Sequence, residues 1–222
     1  MGREIMKKLI FLYRIASVIL IIFLCFMYTQ YANKECTEEK VINITNPNYV
    51  FLGDSITDFY DLKKYYGEDL PIVNSGINGN IVEHILDNLD DRVYKYNPSK
   101  VILLIGINNY LAKNDEIDTV VNGIGQIVKQ IKEKLPNCEI YVESIYPMND
   151  DHSKAVSTEK IEDTNIKIKK LCKKYNAKYI DVFSKLIDEE TNKLNKKYSD
   201  DGLHMNDEGY KVITEIVKKS IF

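Results

Sequence analysis

The sequence predicts an α/β fold: a three-layer α/β/α sandwich around a roughly five-stranded parallel sheet, preceded by one N-terminal transmembrane helix. Three observations predict it. Short β-branched runs closed by turn residues alternate with stretches of helical periodicity. Such alternation implies parallel strands joined by right-handed crossovers. Ahead of the alternation stands a long apolar run, Leu9 to Tyr28.

That run reads LIFLYRIASVILIIFLCFMY, with Arg14 as its only charge. As a helix it would span about 30 Å, the thickness of a hydrocarbon core. Arg3, Lys7, Lys8 and Arg14 lie at its front, and Glu35, Glu38 and Glu39 behind it. The positive-inside rule then places the N-terminus in the cytoplasm and the body outside, in a single-pass protein of the cell membrane. Arg14 is close enough to the cytoplasmic end to snorkel. A cleaved signal peptide would use Ile15–Tyr28 as its apolar core, but no small-x-small site follows, so an uncleaved anchor is expected over a secreted form. Lipidation at Cys25 is disfavoured because Leu24 precedes it, where such signals carry a small residue. A buried core helix is disfavoured because the segment is apolar on every face. The expected organisation is residues 1–32 as cytoplasmic tip and anchor, 33–48 as a polar tether, and 49–222 as the globular domain.

Strand signals follow in order. They are Tyr49-Val-Phe-Leu ending at Gly53, Pro71-Ile-Val-Asn ending at Ser75-Gly76, and Lys100 to Ile105 ending at Gly106. Glu139 to Ile145 ends before Pro147, and Lys178 to Val182 is the fifth. Helical periodicity lies between them. Ile81, His84, Ile85, Leu89 and Val93 form one set. Ile117, Val120, Val121, Ile124, Ile127, Val128, Ile131 and Leu135 form a second, closed by Pro136. Ile161, Ile166, Ile168 and Leu171 form a third, and Val212, Ile213, Ile216 and Val217 the last. In such sheets ligands bind at the C-terminal ends of the strands.

Composition narrows the function. Of 222 residues, 45% are apolar and 28% charged, with a net charge of −3. No basic stripe interleaved with aromatics appears, so no nucleic-acid partner is expected. The four cysteines, Cys25, Cys36, Cys138 and Cys172, form no C-x-x-C pair and support no zinc or thioredoxin-like site. Isolated thiols are expected, with a Cys138–Cys172 bridge as the alternative.

Four segments carry chemistry, and three directly follow predicted strands. Gly53-Asp54-Ser55-Ile56-Thr57 follows the first strand, on a turn that can expose the serine hydroxyl at the sheet edge. Asn74-Ser-Gly-Ile-Asn-Gly79-Asn80 follows the second, Gly106-Ile-Asn108-Asn109 the third, and Asp201-Gly-Leu-His204 precedes the last helix. A serine hydroxyl is a weak nucleophile until a base takes its proton, and an imidazole such as His204 suits that task. Asp201, three residues earlier, can accept the Nδ1 proton and hold the ring. The Ser55 and Gly79 N–H groups and the Asn108 amide are the expected oxyanion donors. Taken singly, each signal is common: a Gly-Asp-Ser turn is often just a turn, Asn-Asn often a helix cap, and Asp-x-x-His often a surface pair. Their joint order within an α/β pattern is not.

These blocks resemble the SGNH or GDSL-like hydrolases from Tyr49 to the C-terminus. Gly53-Asp54-Ser55 matches the first block, Gly79 the second, Gly106 to Asn109 the third, and Asp201 with His204 the last. Ile56 stands where the name block often has Leu, an apolar exchange. The resemblance implies a flavodoxin-like sheet, a Ser55–His204–Asp201 triad with oxyanion donors at Ser55, Gly79 and Asn108, and no cofactor or metal. It implies an esterase, lipase, thioesterase or carbohydrate deacetylase. No G-x-S-x-G elbow exists, which disfavours the ordinary α/β-hydrolase fold. Two rivals remain: a metal-dependent phosphoesterase using Asp54, Asn108, Asp201 and His204, and a non-enzymatic envelope binding or accessory protein on the same fold. Three histidines are few for the first, and intact site residues speak against the second. His84 is expected to be a partly buried packing residue and His152 to border the site mouth. The loop Tyr146 to Asp150 is expected to line the pocket. The expected partners are a small-molecule, glycan or lipid ester and, through the N-terminal helix, the membrane. An O-acetylated cell-wall or capsular sugar is the first expected substrate, and a lysophospholipid the second.

Overall fold

A computed structural model describes residues 6, 23–25, 27–29, 48–149 and 156–222. The chain divides into two units, 1–46 and 47–222. In the first, the described residues 23–25 and 27–29 are helical. Most of the Leu9–Tyr28 run lies outside the described residues, and among these no helix is long and apolar enough to cross a membrane.

In the second unit β1 (Tyr49–Gly53), β2 (Ile72–Gly76), β3 (Lys100–Leu104), β4 (Glu139–Glu143) and β5 (Lys178–Ile180) form a five-stranded sheet in the order β2-β1-β3-β4-β5. Every pairing is parallel. A parallel sheet covered on both faces needs apolar side chains in both directions, hence runs such as Tyr49-Val-Phe-Leu rather than alternation with polar residues. Strand side chains alternate between faces. Val50, Leu52, Val101, Leu103, Ile140 and Val142 join one core. Phe51, Ile102, Leu104 and Tyr141 join the other.

Helices α1 (Ser55–Asp58), α2 (Leu62–Tyr66), α3 (Val82–Leu86), α4 (Leu89–Arg92), α5 (Ile107–Lys113), α6 (Ile117–Lys134), α7 (Thr158–Lys174), α8 (Phe183–Leu186) and α9 (Asp207–Ile221) complete the order. The first core takes Val82 and Ile85 of α3, Val120 to Ile131 of α6, and Ile161, Ile168 and Leu171 of α7. The second takes Leu62 and Tyr66 of α2 with Tyr210, Ile213 and Val217 of α9. Leu52 is fully buried, so Leu52→Ala should cost about 2–5 kcal/mol through lost burial and the cavity left behind. Helix α6 stops at Lys134 because Leu135, next to Pro136, leaves helical geometry (φ −127°, ψ 74°).

The structure departs from the sequence reading in several places. Positions 81–93 are not one helix: the chain breaks between α3 and α4, where the Asn88 side chain donates to the His84 carbonyl at 2.9 Å. His84 is exposed, not packed, and its Nδ1 accepts from Ile81 N–H at 3.4 Å. Ile166 is 53% exposed, because α7 turns Ile161, Thr164, Asn165, Ile168 and Leu171 inward instead. A short antiparallel hairpin, β6 (Ile187–Asp188) with β7 (Lys193–Leu194), had no sequence signal. Cys138 and Cys172 are both buried free thiols.

Sheet order places the site. Successive crossovers leave β1 toward β2 on one side, and β3 then continues on the other. The carboxyl ends of β1 and β3 therefore flank the point where strand order reverses, the place where open α/β sheets form a crevice.

Candidate active site

Ser55 is the first residue of α1, directly after β1 and the cap residue Asp54. The Asp54 carboxylate turns back to accept the Ile56 N–H at 3.0 Å, which sets the turn. The Ile56 carbonyl accepts from the Tyr210 hydroxyl of α9 at 2.7 Å. Tyr210 stacks on Tyr60 with ring centroids 4.6 Å apart, and the Tyr60 hydroxyl meets Thr214 Oγ1 of α9 at 2.5 Å. Helix α9 is thus fastened beneath the serine turn, and the loop that enters α9 is carried to the same edge.

That loop contains Asp201 and His204. One Asp201 oxygen accepts the N–H groups of Leu203 at 2.9 Å and His204 at 2.8 Å. The other lies 2.6 Å from His204 Nδ1. A single carboxylate therefore shapes the turn and orients the ring. The Asn149 N–H donates to the Gly202 carbonyl at 2.9 Å, so the segment after β4 braces the turn from outside. His204 Nε2 lies 3.0 Å from Ser55 Oγ. Ser55 is only 3% exposed. An exposed hydroxyl was expected; the ring reaching over the turn is the reason it is not.

Segment 74–80 lies along the serine turn. Asn74 Nδ2 donates to the carbonyls of Thr57 at 2.8 Å and Tyr60 at 3.0 Å. Ile77 N–H donates to the Gly53 carbonyl at 3.2 Å, and Asn78 N–H to Asp58 Oδ2 at 3.2 Å. Gly76 is required for this approach, since a Cβ there would stand 2.2 Å from Asp58 N. Gly79 adopts φ +74°, a conformation that favours glycine. Asn108, on the first turn of α5, donates from Nδ2 to the Asn80 carbonyl at 3.0 Å. Among the described residues the N–H groups of Ser55 and Gly79 take no acceptor.

The structure thus joins Ser55, His204 and Asp201 in one hydrogen-bonded line and ties Asn108 to the residue after Gly79. Asn109, the neighbour of Asn108, is buried and structural: its Oδ1 accepts from Val82 N–H and its Nδ2 donates to Glu83 and Asp115. Tyr146, Met148 and Asn149 of the loop after β4 are buried, so they brace the site rather than offer open surface. Asp150 to Ala155, including His152, lie outside the described residues.

Sequence reading missed Arg92 beside the site and gave Asn80, within the second segment, no role of its own. Arg92, buried at the end of α4, donates to Asn80 Oδ1 at 2.5 Å, to the Gly53 carbonyl at 2.8 Å and to the Ser75 carbonyl. The only hint was a basic residue between the apolar positions Leu89 and Val93. Asn80 links Arg92 to Asn108.

Electrostatics divide the carboxyl groups. Burial pushes Asp54 up to about 7, against the Ile56 hydrogen bond and the charges of His204 and Arg92. For Asp201, partial desolvation raises the pKa. Hydrogen bonds from the His204 ring and the Leu203 and His204 amides outweigh it and hold the group well below the usual carboxylate range. Asp201 is therefore ionised and suited to hold an Nδ1–H, with Nε2 turned toward the Ser55 hydroxyl. Glu143, buried at the end of β4, is pushed up to about 7 by burial, which outweighs the hydrogen bond it receives from the Tyr146 hydroxyl. Among the described residues no group of three or more His, Cys, Asp or Glu is placed to hold a metal ion.

The GDSL-like lipase/acylhydrolase family matches residues 51–212. The platelet-activating factor acetylhydrolase IB subunit beta homolog of Drosophila melanogaster is 30% identical over 114 residues, 49% of each chain; the chain spans about half the length of that curated relative. A Streptococcus pneumonia protein assigned as a platelet activating factor is 30% identical, with a TM-score of 0.75 over 88% of this chain and 99% of its own. A lipase/acylhydrolase from Enterococcus faecalis is 19% identical, with a TM-score of 0.68 over 79% of this chain and 95% of its own, and shares the fold.

Proposed function

The chain belongs to the GDSL-like lipase/acylhydrolase family, and from that premise we propose that it is a serine ester hydrolase that works through a Ser55–His204–Asp201 triad and acts outside the membrane on carboxylic esters. The observation that carries the mechanism is the hydrogen-bonded line from Asp201 Oδ2 through His204 to Ser55 Oγ.

In the first step His204 Nε2 takes the Ser55 proton as Oγ attacks the ester carbonyl. Asp201 holds the opposite ring N–H and stabilises the imidazolium. The carbonyl oxygen becomes an oxyanion, which accepts hydrogen bonds from the Ser55 and Gly79 N–H groups and the Asn108 amide. Collapse expels the alcohol, which takes the proton back from His204. Water, deprotonated by the same imidazole, then releases the acid and regenerates Ser55.

For a sugar ester the acyl group is read as acetyl or another short chain. Support comes from the Drosophila relative, which is named an acetylhydrolase. An apolar rim also sits beside the base: Phe59 is 50% exposed with its ring 5.2 Å from the His204 imidazole. The membrane anchor rests on the apolar Leu9–Tyr28 run, with Arg14 as its only charge, and the basic residues ahead of it. An outward-facing body would meet envelope glycans and lipids, so an O-acetylated cell-wall or capsular sugar is the first substrate proposed and a lysophospholipid the second. The deciding experiment is a panel of acetylated sugars, short acyl esters and lysolipids given to the purified protein, with and without chelator. Acetate release from sugars supports the first reading. Preference for lysolipids transfers the assignment to the second, and loss of activity in chelator contradicts the mechanism. Protease added to intact cells should release the body, and a chain shortened to begin near Asn43 should need no detergent. If the full chain needs no detergent either, the anchor assignment fails.

A further inference from the structure

We propose that Arg92 is a positioning residue for the oxyanion hole, tying the ends of β1 and β2 to Asn80, whose carbonyl holds the amide of Asn108. This inference rests on the oxyanion reading of Gly79 and Asn108 given above.

Three segments must keep a fixed relation for that hole to exist: the serine turn after β1, the Gly79 loop after β2, and the Asn108 turn after β3. Adjacent strands fix the first two only as far as Gly53 and Gly76. Beyond those residues the loops need their own fastening. The Ile77 and Asn78 N–H groups supply part of it by donating to the Gly53 carbonyl and Asp58 Oδ2, and the Arg92 guanidinium carries it on to Asn80, because one rigid planar fork presents several donors at set angles. It donates to the Gly53 carbonyl, two residues before Ser55, and to the Ser75 carbonyl at the end of β2. It also donates to Asn80 Oδ1, next to Gly79. The Ser75 hydroxyl donates back to the Arg92 carbonyl at 3.0 Å, fixing the end of α4 to β2.

Asn80 then passes the constraint on. Its side chain is held by Arg92 and its carbonyl accepts Asn108 Nδ2 at 3.0 Å. An amide has two N–H donors. With one committed to Asn80, the other is left at a fixed angle for an oxyanion. A donor held before the reaction needs no reorganisation as charge develops, so its fastening is felt in kcat more than in KM. Burying a charged group is costly unless it is paired or hydrogen-bonded. Arg92 is 4% exposed; its two terminal nitrogens reach the Gly53 and Ser75 carbonyls and Asn80 Oδ1, while among the described residues its Nε has no acceptor, a placement that packing alone would fill better with Leu or Met.

The test is steady-state kinetics of the full chain on p-nitrophenyl acetate. Arg92→Met should lower kcat by about ten- to fiftyfold with KM within about threefold, while Arg92→Lys recovers part of the loss. Asn80→Ala, which leaves the charge in place, should lower kcat by about five- to twentyfold. In an Asn108→Ala background, Arg92→Met should cost less than about threefold further, because the donor it positions is already gone. The inference is overturned if Arg92→Met keeps its kcat while Asn108→Ala loses it, or if the two losses multiply in full. Should Arg92→Met not fold, Asn80→Ala alone and combined with Asn108→Ala decides by the same outcomes. An Asn108→Ala protein with wild-type kcat removes the oxyanion reading itself, a failure distinct from that of Arg92.

Discussion

The imidazole of His204 stands with Nε2 3.0 Å from Ser55 Oγ, and 149 positions of chain separate the two residues. Tyr210 and Thr214 of α9 close that distance by bonding to the Ile56 carbonyl and the Tyr60 hydroxyl. The contact is therefore a property of how α9 seats under the serine turn. It also defines what each partner should do when removed.

Ser55→Ala should abolish esterase activity and leave thermal stability within a few degrees of wild type, since it removes one hydroxyl whose partner, His204, stays half-buried. A serine-directed phosphonate should label the wild-type protein once and the variant not at all. Ester turnover by Ser55→Ala at the wild-type rate would sink the mechanism.

Asn108→Ala should lower kcat by roughly 10²–10³, the usual effect of losing one oxyanion donor. The Asn80 carbonyl loses its partner as well, but that group is near the surface and water can take the place of the amide. A rise in KM with kcat within a few-fold would make Asn108 a binding residue only.

Asp201→Asn should reduce kcat/KM strongly, though less than His204→Ala. An amide in that place can still accept the Leu203 and His204 N–H groups, but it can donate to Nδ1 and favour the wrong tautomer. Because Asp201 is held well below the usual carboxylate range, it stays ionised throughout a working pH range. Protonation of Asp201 should therefore contribute nothing to the pH dependence of kcat/KM near neutrality. Full activity in His204→Ala would contradict the assignment.

Glu143→Gln tests the buried carboxyl outside the site. Burial raises its folded pKa from 4.5 to about 7, so between those values the folded state binds the proton more tightly than the unfolded state. Its contribution is fully present below the unfolded pKa and is lost as pH rises through 7, by up to about 1.4 kcal/mol per pH unit within the window. Glutamine can still accept from the Tyr146 hydroxyl and has no charge to bury. The melting temperature of the variant should therefore gain on wild type as pH rises from 5 to 8. A difference that stays constant over that range would show that Glu143 does not titrate there.

Much of this protein was determined by local sequence. Runs such as Tyr49–Leu52 and Lys100–Ile105 are short, apolar and closed by glycine, which specifies buried parallel strands. Parallel strands share one carboxyl edge, so Ser55, Gly79 and Asn108, each placed just after such a run, had to come to that edge together. Asp201 and His204, three apart, could be paired because a single turn brings their side chains within reach. What the local signal could not hold was decided by contacts between distant segments. Arg92 looks like any basic residue near the end of a helix, and only the carbonyls of Gly53 and Ser75, delivered by two different strands, make its burial favourable. The break at Asn88 and the outward turn of Ile166 follow from which helix faces the sheet can accept, and the β6–β7 hairpin is too short to carry a periodic pattern. Ser55 is nearly buried because helix α9, anchored through Tyr210, holds His204 in place over the turn. Periodicity records the face a residue prefers within its own element. The partner it meets there depends on chain brought in from far along the sequence, and that is set only when the sheet and its two layers close.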